Sequence, residues 1–249
     1  MHEAHKNAQF NTTQWTLVGR MCGESEADAR DALEVICSDY WPPLYAFSRR
    51  KGMGEEDAKD LVQGFFAALL SGESLKSADA KKGKLRTFLL TMLERYMSSE
   101  WRKQYAVKRG SGKPLMSFDD RHQELLHAED GMALTSEAWY DRQWALLMIT
   151  RCFDKLHSHY KERGLDEKFE RLKGFLEWNG DDQSADDYGD IAAQLGMTSG
   201  AVKVAVFRLR QQFRKMLVSE VTETLPTNDT DDVQQELRYL LSAIGNEMN

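Results

Sequence analysis

YGDIAAQLGMTSGAVKVAVFRLRQQFRKML, residues Tyr188–Leu217, decides how this chain reads. Its opening, together with Asp187, places Ile191, Ala192 and Leu195 on one apolar face, the spacing of a short amphipathic helix. Gly196 follows, where a helix end favours a residue free to enter the left-handed conformation. The hydroxyl of Thr198 or Ser199 then caps a second helix, in which Val202, Val206, Leu209 and Phe213 share a face. Ala192, a small residue one turn before the glycine, permits a close crossing of the two helices. Lys203, Arg208, Arg210, Arg214 and Lys215 surround the second helix with positive charge, and no acidic residue lies between Gly196 and Val218. A short helix, a glycine turn and a basic second helix form a helix-turn-helix, which lays its second helix in the DNA major groove. A plain helical hairpin with a solvated basic face has the same periodicity. The joint placement of Ala192, Gly196 and Val202 favours DNA binding.

Working outward, 249 residues suffice for two small domains or one large one. Four prolines and few alternating β-branched runs point to an all-α chain. The net charge of −7 argues against a general nucleic-acid coat, yet the charge is segregated. Bases crowd 81–113 and 196–215, whereas acids crowd 24–31, 55–60, 181–190 and 220–236. Such patches suit DNA on some faces and basic partners on others. Cys22, Cys37 and Cys152 are odd in number and far apart, which fits neither a disulfide framework nor a zinc site and points to a reducing cytoplasm. His122/His127 and His157/His159 lack metal-ligand spacing, and no glycine-rich nucleotide loop or catalytic triad stands out, so neither cofactor nor catalysis is expected. No apolar run has the length for a membrane span, and the N-terminus lacks a signal-peptide core.

Before the DNA-binding stretch, Thr13 is placed to cap a short helix over TQWTLVGRM. A second helix is expected from Ser25 to Tyr40, interrupted by Trp41-Pro42-Pro43, with a separate short helix over Leu44–Lys51. EEDAKDLVQGFFAALLS, from Glu55, has Leu61, Val62, Phe65, Phe66 and Leu69 as its core stripe. Another face shows Glu56, Asp60, Gln63, Gly64 and Ala67, where Gly64 implies a closely approaching neighbour, within the chain or from a partner. KLRTFLLTMLERYMSSEWRKQYAV, from Lys84, has Leu85, Phe88, Leu89, Met92, Tyr96 and Met97 as its stripe, among many bases and with Trp101 and Tyr105. Aromatic rings among bases are the ingredients of single-strand binding. The stretch from Lys108 to Glu137 loses periodicity and reads as a linker. Helices are then expected over the run from Ala138 and over Glu167–Trp178, and a last amphipathic helix, DDVQQELRYLLSAI, closes the chain.

DAKDLVQGFFAALL resembles the polymerase-binding segment of region 2 of RNA polymerase sigma factors of the extracytoplasmic-function type. GKLRTFLLTMLERYMSSEWRK resembles the promoter-melting and −10-reading segment that follows it, and Tyr188–Leu217 resembles region 4, the −35 reader. The Trp-Pro-Pro-Leu-Tyr run, QGFF and the ELRYLLSAI tail are similar to a subgroup associated with planctomycetes and similar bacteria. The resemblance implies an all-α, non-enzymatic initiation factor. Its expected parts are a region 2-like domain over 13–109, a linker over 110–137, a region 4-like domain over 138–217 and a C-terminal helical extension over 218–249, a candidate regulatory tail.

By the same resemblance Asp57, Asp60, Gln63 and Gly64 would meet core RNA polymerase, and Lys84, Arg86, Arg102 and Lys103 the melted −10 strand. Thr198, Ser199, Lys203, Phe207, Arg208 and Arg210 would face promoter DNA at −35, with Arg208 the best candidate for bidentate guanine contact. An anti-sigma factor or a regulatory kinase stands open as a further partner. The chain departs from the family pattern at Lys59, where an acid is common, at Glu94-Arg95 and at Val204-Ala205, which puts clamp affinity and base preference in question. The competing reading is a stand-alone helix-turn-helix regulator whose N-terminal domain dimerises.

Overall fold

The computed structural model describes residues 14–23, 25–70, 83–108, 134–176, 185–225 and 229–245, with the backbone alone at 104–108 and 185–187. Among the described residues every regular element is helical: α1 Gln14–Met21, α2 Glu26–Arg50, α3 Glu55–Leu70, α4 Leu85–Lys108, α5 Ser136–Glu162, α6 Asp166–Leu172, α7 Ala185–Leu195, α8 Ser199–Thr224 and α9 Thr230–Gly245. A 3-10 turn over Lys173–Leu176 follows α6. The chain divides into two compact units, Met1–Ala145 with Thr222–Asn249, and Leu146–Val221. The expected linker falls mostly outside the described residues, as do the Thr13 cap and the bases Lys81, Lys82 and Arg109.

In the first unit α2 is the longest buried element. It begins where expected, with the Ser25 hydroxyl accepting from the Asp28 amide at 3.3 Å. It does not stop at the prolines: one helix runs through Pro42 and Pro43 to Arg50, which corrects the expected break. The reason lies in the seam. Ala32, Ile36, Tyr40, Leu44 and Phe47 continue at helical spacing across the prolines, and all are almost wholly buried. An internal proline costs a helix about 3 kcal/mol, whereas each large apolar side chain withdrawn from water contributes about 1.5–3 kcal/mol. Ending the helix at Trp41 would take Leu44 and Phe47 out of that seam. Tertiary burial therefore overrides the local preference.

Two aromatic contacts fix this helix to α5, and Trp41 stacks on Phe66 of α3 at 6.0 Å. Tyr40 stacks on Trp144 of α5 with ring centres 4.5 Å apart, and Phe47 meets Tyr140 edge-on at 6.3 Å. The Tyr40 hydroxyl donates to Gln14 of α1, and Tyr140 donates to the Arg86 carbonyl at 3.1 Å. Residues 138–145, grouped with the second domain on sequence grounds, thus pack in the first unit.

The second unit is built on Leu156, Phe169, Leu172, Phe175, Ala192, Val202, Val206 and Leu209. His157 stacks on Phe169 at 4.7 Å, and its Nε2 lies 2.7 Å from the Asp166 carboxylate, which ties the end of α5 to the start of α6. The helix expected to reach Trp178 gives way at Lys173 to the 3-10 turn.

Gly196 has a φ of 61°. The Met197 amide reaches back to the Ala192 carbonyl at 2.9 Å and the Gly196 amide to Ala193 at 3.4 Å, the paired bonds of a glycine-terminated helix. Thr198, and not Ser199, is the cap, its hydroxyl accepting from the Ala201 amide at 3.2 Å. A Cβ at Gly196 would meet no atom within 4 Å, so Gly196→Ala introduces backbone strain and no clash. It is expected to lower stability by about 1–2 kcal/mol, measured by urea unfolding, with helical content unchanged.

Candidate functional site

On α3 the buried residues Ala58, Leu61, Val62, Phe65, Phe66 and Leu69 leave Glu56, Asp60, Gln63 and Ala67 exposed as one row, with Asp57 beside it. Lys59, the base in this acidic stretch, is held by Glu55 at 2.7 Å and Glu56 at 3.1 Å. Hydrogen bonds to Glu55 and then Glu56 hold the Lys59 ammonium well above the usual lysine range, and the bond to Lys59 lowers the Glu55 carboxyl. The base is thereby occupied by the two glutamates at the start of the helix. No ion pair among the described residues engages Asp57 or Asp60.

Both aspartates line a cleft of about 440 Å³, shared with Leu61 and with Tyr96, Glu100 and Trp101 of α4. Lys51 also lines it but is paired with Glu137 at 3.3 Å, so the two aspartates and the aromatic rings suit a cationic side chain from a partner, through charge and through the ring face. Gly64 sits next to this cleft with a neighbour already in place. A Cβ there would lie 2.5 Å from the Tyr96 hydroxyl, so the close approach expected at Gly64 is made by Tyr96 of the same chain.

The buried stripe of α4 is rotated from the expected one. Leu85, Leu89, Leu90, Leu93 and Met97 are buried, whereas Phe88, Met92 and Tyr96 are only half-buried. Arg86 shares the buried side, at 4% exposure, and so is not a surface base as the sequence had implied. Its guanidinium binds Asp141 of α5 at 2.9 Å and Glu236 of α9. Burial alone would lower its pKa, but the carboxylates of Glu236 and Asp141 outweigh that and raise it. Lys84 also pairs with Glu236. Arg102 and Lys103 are exposed, the first bonded to the Ser98 carbonyl at 3.1 Å and the second to Glu100 at 2.7 Å.

In the second unit Lys203, Phe207 and Arg208 are exposed along α8, Phe207 at 67%. Thr198 and Ser199 are exposed at its start. Lys203 stands 5.5 Å over the Tyr188 ring. Arg210 spends one donor on the Phe175 carbonyl at 2.9 Å, which ties α8 to the 3-10 turn. Among the described residues no cluster of His, Cys, Asp and Glu could hold a metal ion, and no helix is long and apolar enough to cross a membrane.

Sequence reasoning missed the partners of Arg86. Glu236 occupies a core position between Val233, Leu237 and Leu240, and a lone acid in an apolar stripe was the available signal.

Residues 36–107 match the family model of Sigma-70 region 2, a span from the buried half of α2 through α3 to near the end of α4. The match covers less than a third of the chain and shows that this stretch is similar to Sigma-70 region 2. No curated protein and no solved structure matches the chain.

Gly64→Ala supplies a direct check on the packing at the cleft. Helix propensity favours alanine by about 1 kcal/mol, and the Tyr96 hydroxyl opposes it. The gain is expected in full only in a Tyr96→Phe background, read from urea unfolding of the four proteins in the cycle.

Proposed function

We propose that this chain is an initiation factor of the extracytoplasmic-function type that brings RNA polymerase to promoters with two separate reading surfaces. The exposed Asp57–Asp60–Gln63 row within the region 2 match carries the proposal. It meets basic clamp helices of the polymerase, and the neighbouring cleft receives a basic side chain from the same partner. Binding energy alone drives promoter opening, so no catalytic group is required.

In this reading Lys84, Arg102 and Lys103 form the −10 surface, with the buried Arg86 beneath it. Arg102 and Lys103 are its solvent-facing part, and Lys84 and Arg86 are engaged by acids. The pair α7–α8 acts as a helix-turn-helix at −35. Thr198 and Ser199 lie near the phosphates, Lys203, Phe207 and Arg208 face the groove, and Arg210 braces the helix. The apolar face beneath, Val202, Val206 and Leu209, supports the reading because it leaves those side chains outward.

Run-off transcription with purified core polymerase and a pool of genomic fragments tests the reading. Promoter-dependent transcripts are expected; binding to duplex DNA with neither transcripts nor polymerase binding would instead favour a stand-alone regulator. Asp60→Arg is expected to weaken polymerase binding by at least about tenfold, or about 1.4 kcal/mol, with an unchanged circular dichroism spectrum. Arg208→Ala is expected to cost about 1–3 kcal/mol at one −35 base pair and to relax preference there. An equal loss on all sequences would make Arg208 a phosphate contact.

A further inference from the structure

The C-terminal helix α9 packs on Lys84, assigned above to the −10 surface, and on Arg86 beneath it. Its buried face is Val233, Glu236, Leu237 and Leu240, so a carboxylate lies within an apolar seam. The two oxygens of Glu236 are divided between Lys84 and Arg86. Tyr239, one turn on, lies with its ring 5.5 Å from both cations and donates its hydroxyl to Asp141. Asp141 in turn accepts from Arg86 Nε at 2.9 Å. Two cations are thus matched by two carboxylates and covered by one ring.

A buried ion pair contributes little net stability compared with apolar residues of similar volume, because desolvation offsets the attraction. Val, Leu or Met at position 236 alone would leave Lys84 and the buried Arg86 one carboxylate short, which costs stability, so the acid answers to the bases and not to the apolar seam. What a carboxylate offers instead is an anion on two bases, the same chemistry that a strand phosphate offers them. Lys84 keeps 38% of its side chain exposed, so it is reachable once Glu236 leaves, whereas Arg86 keeps Asp141.

We infer that α9 is an inhibitory strap: Glu236 holds Lys84 and Arg86 and takes the place of the DNA backbone at Lys84, and a single strand and the docked helix exclude one another. The inference rests on the −10 assignment of Lys84. Glu236→Gln in the full chain, titrated with a fluorescein-labelled oligothymidylate strand, is expected to bind severalfold more tightly than the parent. Its plot of log affinity against log salt steepens by about 0.7, the contribution of one added phosphate contact.

Asp231→Asn is the charge control, since it removes one negative charge from an exposed position on the same helix. It should leave the salt slope unchanged, and adding Lys84→Ala to Glu236→Gln should abolish the gain. Amide hydrogen exchange on the unmodified chain needs no substitution: saturating strand should speed exchange across 230–245. An unaltered salt slope in Glu236→Gln, or unchanged exchange at saturation, overturns the strap. If either occurs while Arg102→Ala/Lys103→Ala weakens strand binding, the −10 reading survives without it. If the Arg102/Lys103 and Lys84 variants all bind as the parent does, the −10 reading itself fails.

Discussion

Tyr40 is the point on which the first unit depends. Its ring is fully buried against Trp144, its hydroxyl is bonded to Gln14, and it stands midway in the seam from Ala32 to Phe47. One side chain therefore joins α1, α2 and α5. Because α2 is held in this way, the turn after it delivers α3 with its apolar side inward. The Asp57–Asp60–Gln63 row faces outward as a consequence of that burial and not through any polar contact of its own.

Bases are absorbed by acids on both faces that the proposed function uses, with different results. On α3 the stray base is absorbed by Glu55 and Glu56, which leaves two aspartates outside any ion pair among the described residues. Around Glu236 the bases are absorbed by acids. Exposed pairs such as Lys59–Glu55 contribute little to stability, so their significance is for what they leave unpaired. The pairs on Arg86 are buried and tie the N-terminal end of α4 to α5 and α9.

The pattern in the sequence was most legible where a single local rule sufficed. The helix start at Ser25, Gly196 after Leu195 and the Val202–Val206–Leu209 spacing each state a local geometry, and each geometry is present. Reading failed where distant residues decide. Pro42 and Pro43 predict a break, and only the burial of Leu44 and Phe47 explains the continuous helix. Arg86 reads as one more surface base until Asp141 and Glu236, far away in the chain, are brought to it. Gly64 announced a close neighbour without naming it, and Tyr96 is on another helix. Local chemistry is written in neighbouring residues, whereas helix rotation and ion pairing are settled by the assembled core.

The proline pair in α2 has a consequence for how the chain is made. A segment with two adjacent internal prolines has no independent stability as a helix, since two amide donors are missing from its centre. Its seam is completed by Trp144 and Tyr140, which the ribosome adds long after Tyr40. Synthesis proceeds at about 5–20 residues per second, so the second half of α2 spends several seconds without the rings that hold it. Helix α3 emerges within that interval. Assembly of the first unit is therefore postponed until α5 has left the exit tunnel, and the exposed row of α3 is set in place only after most of the chain exists.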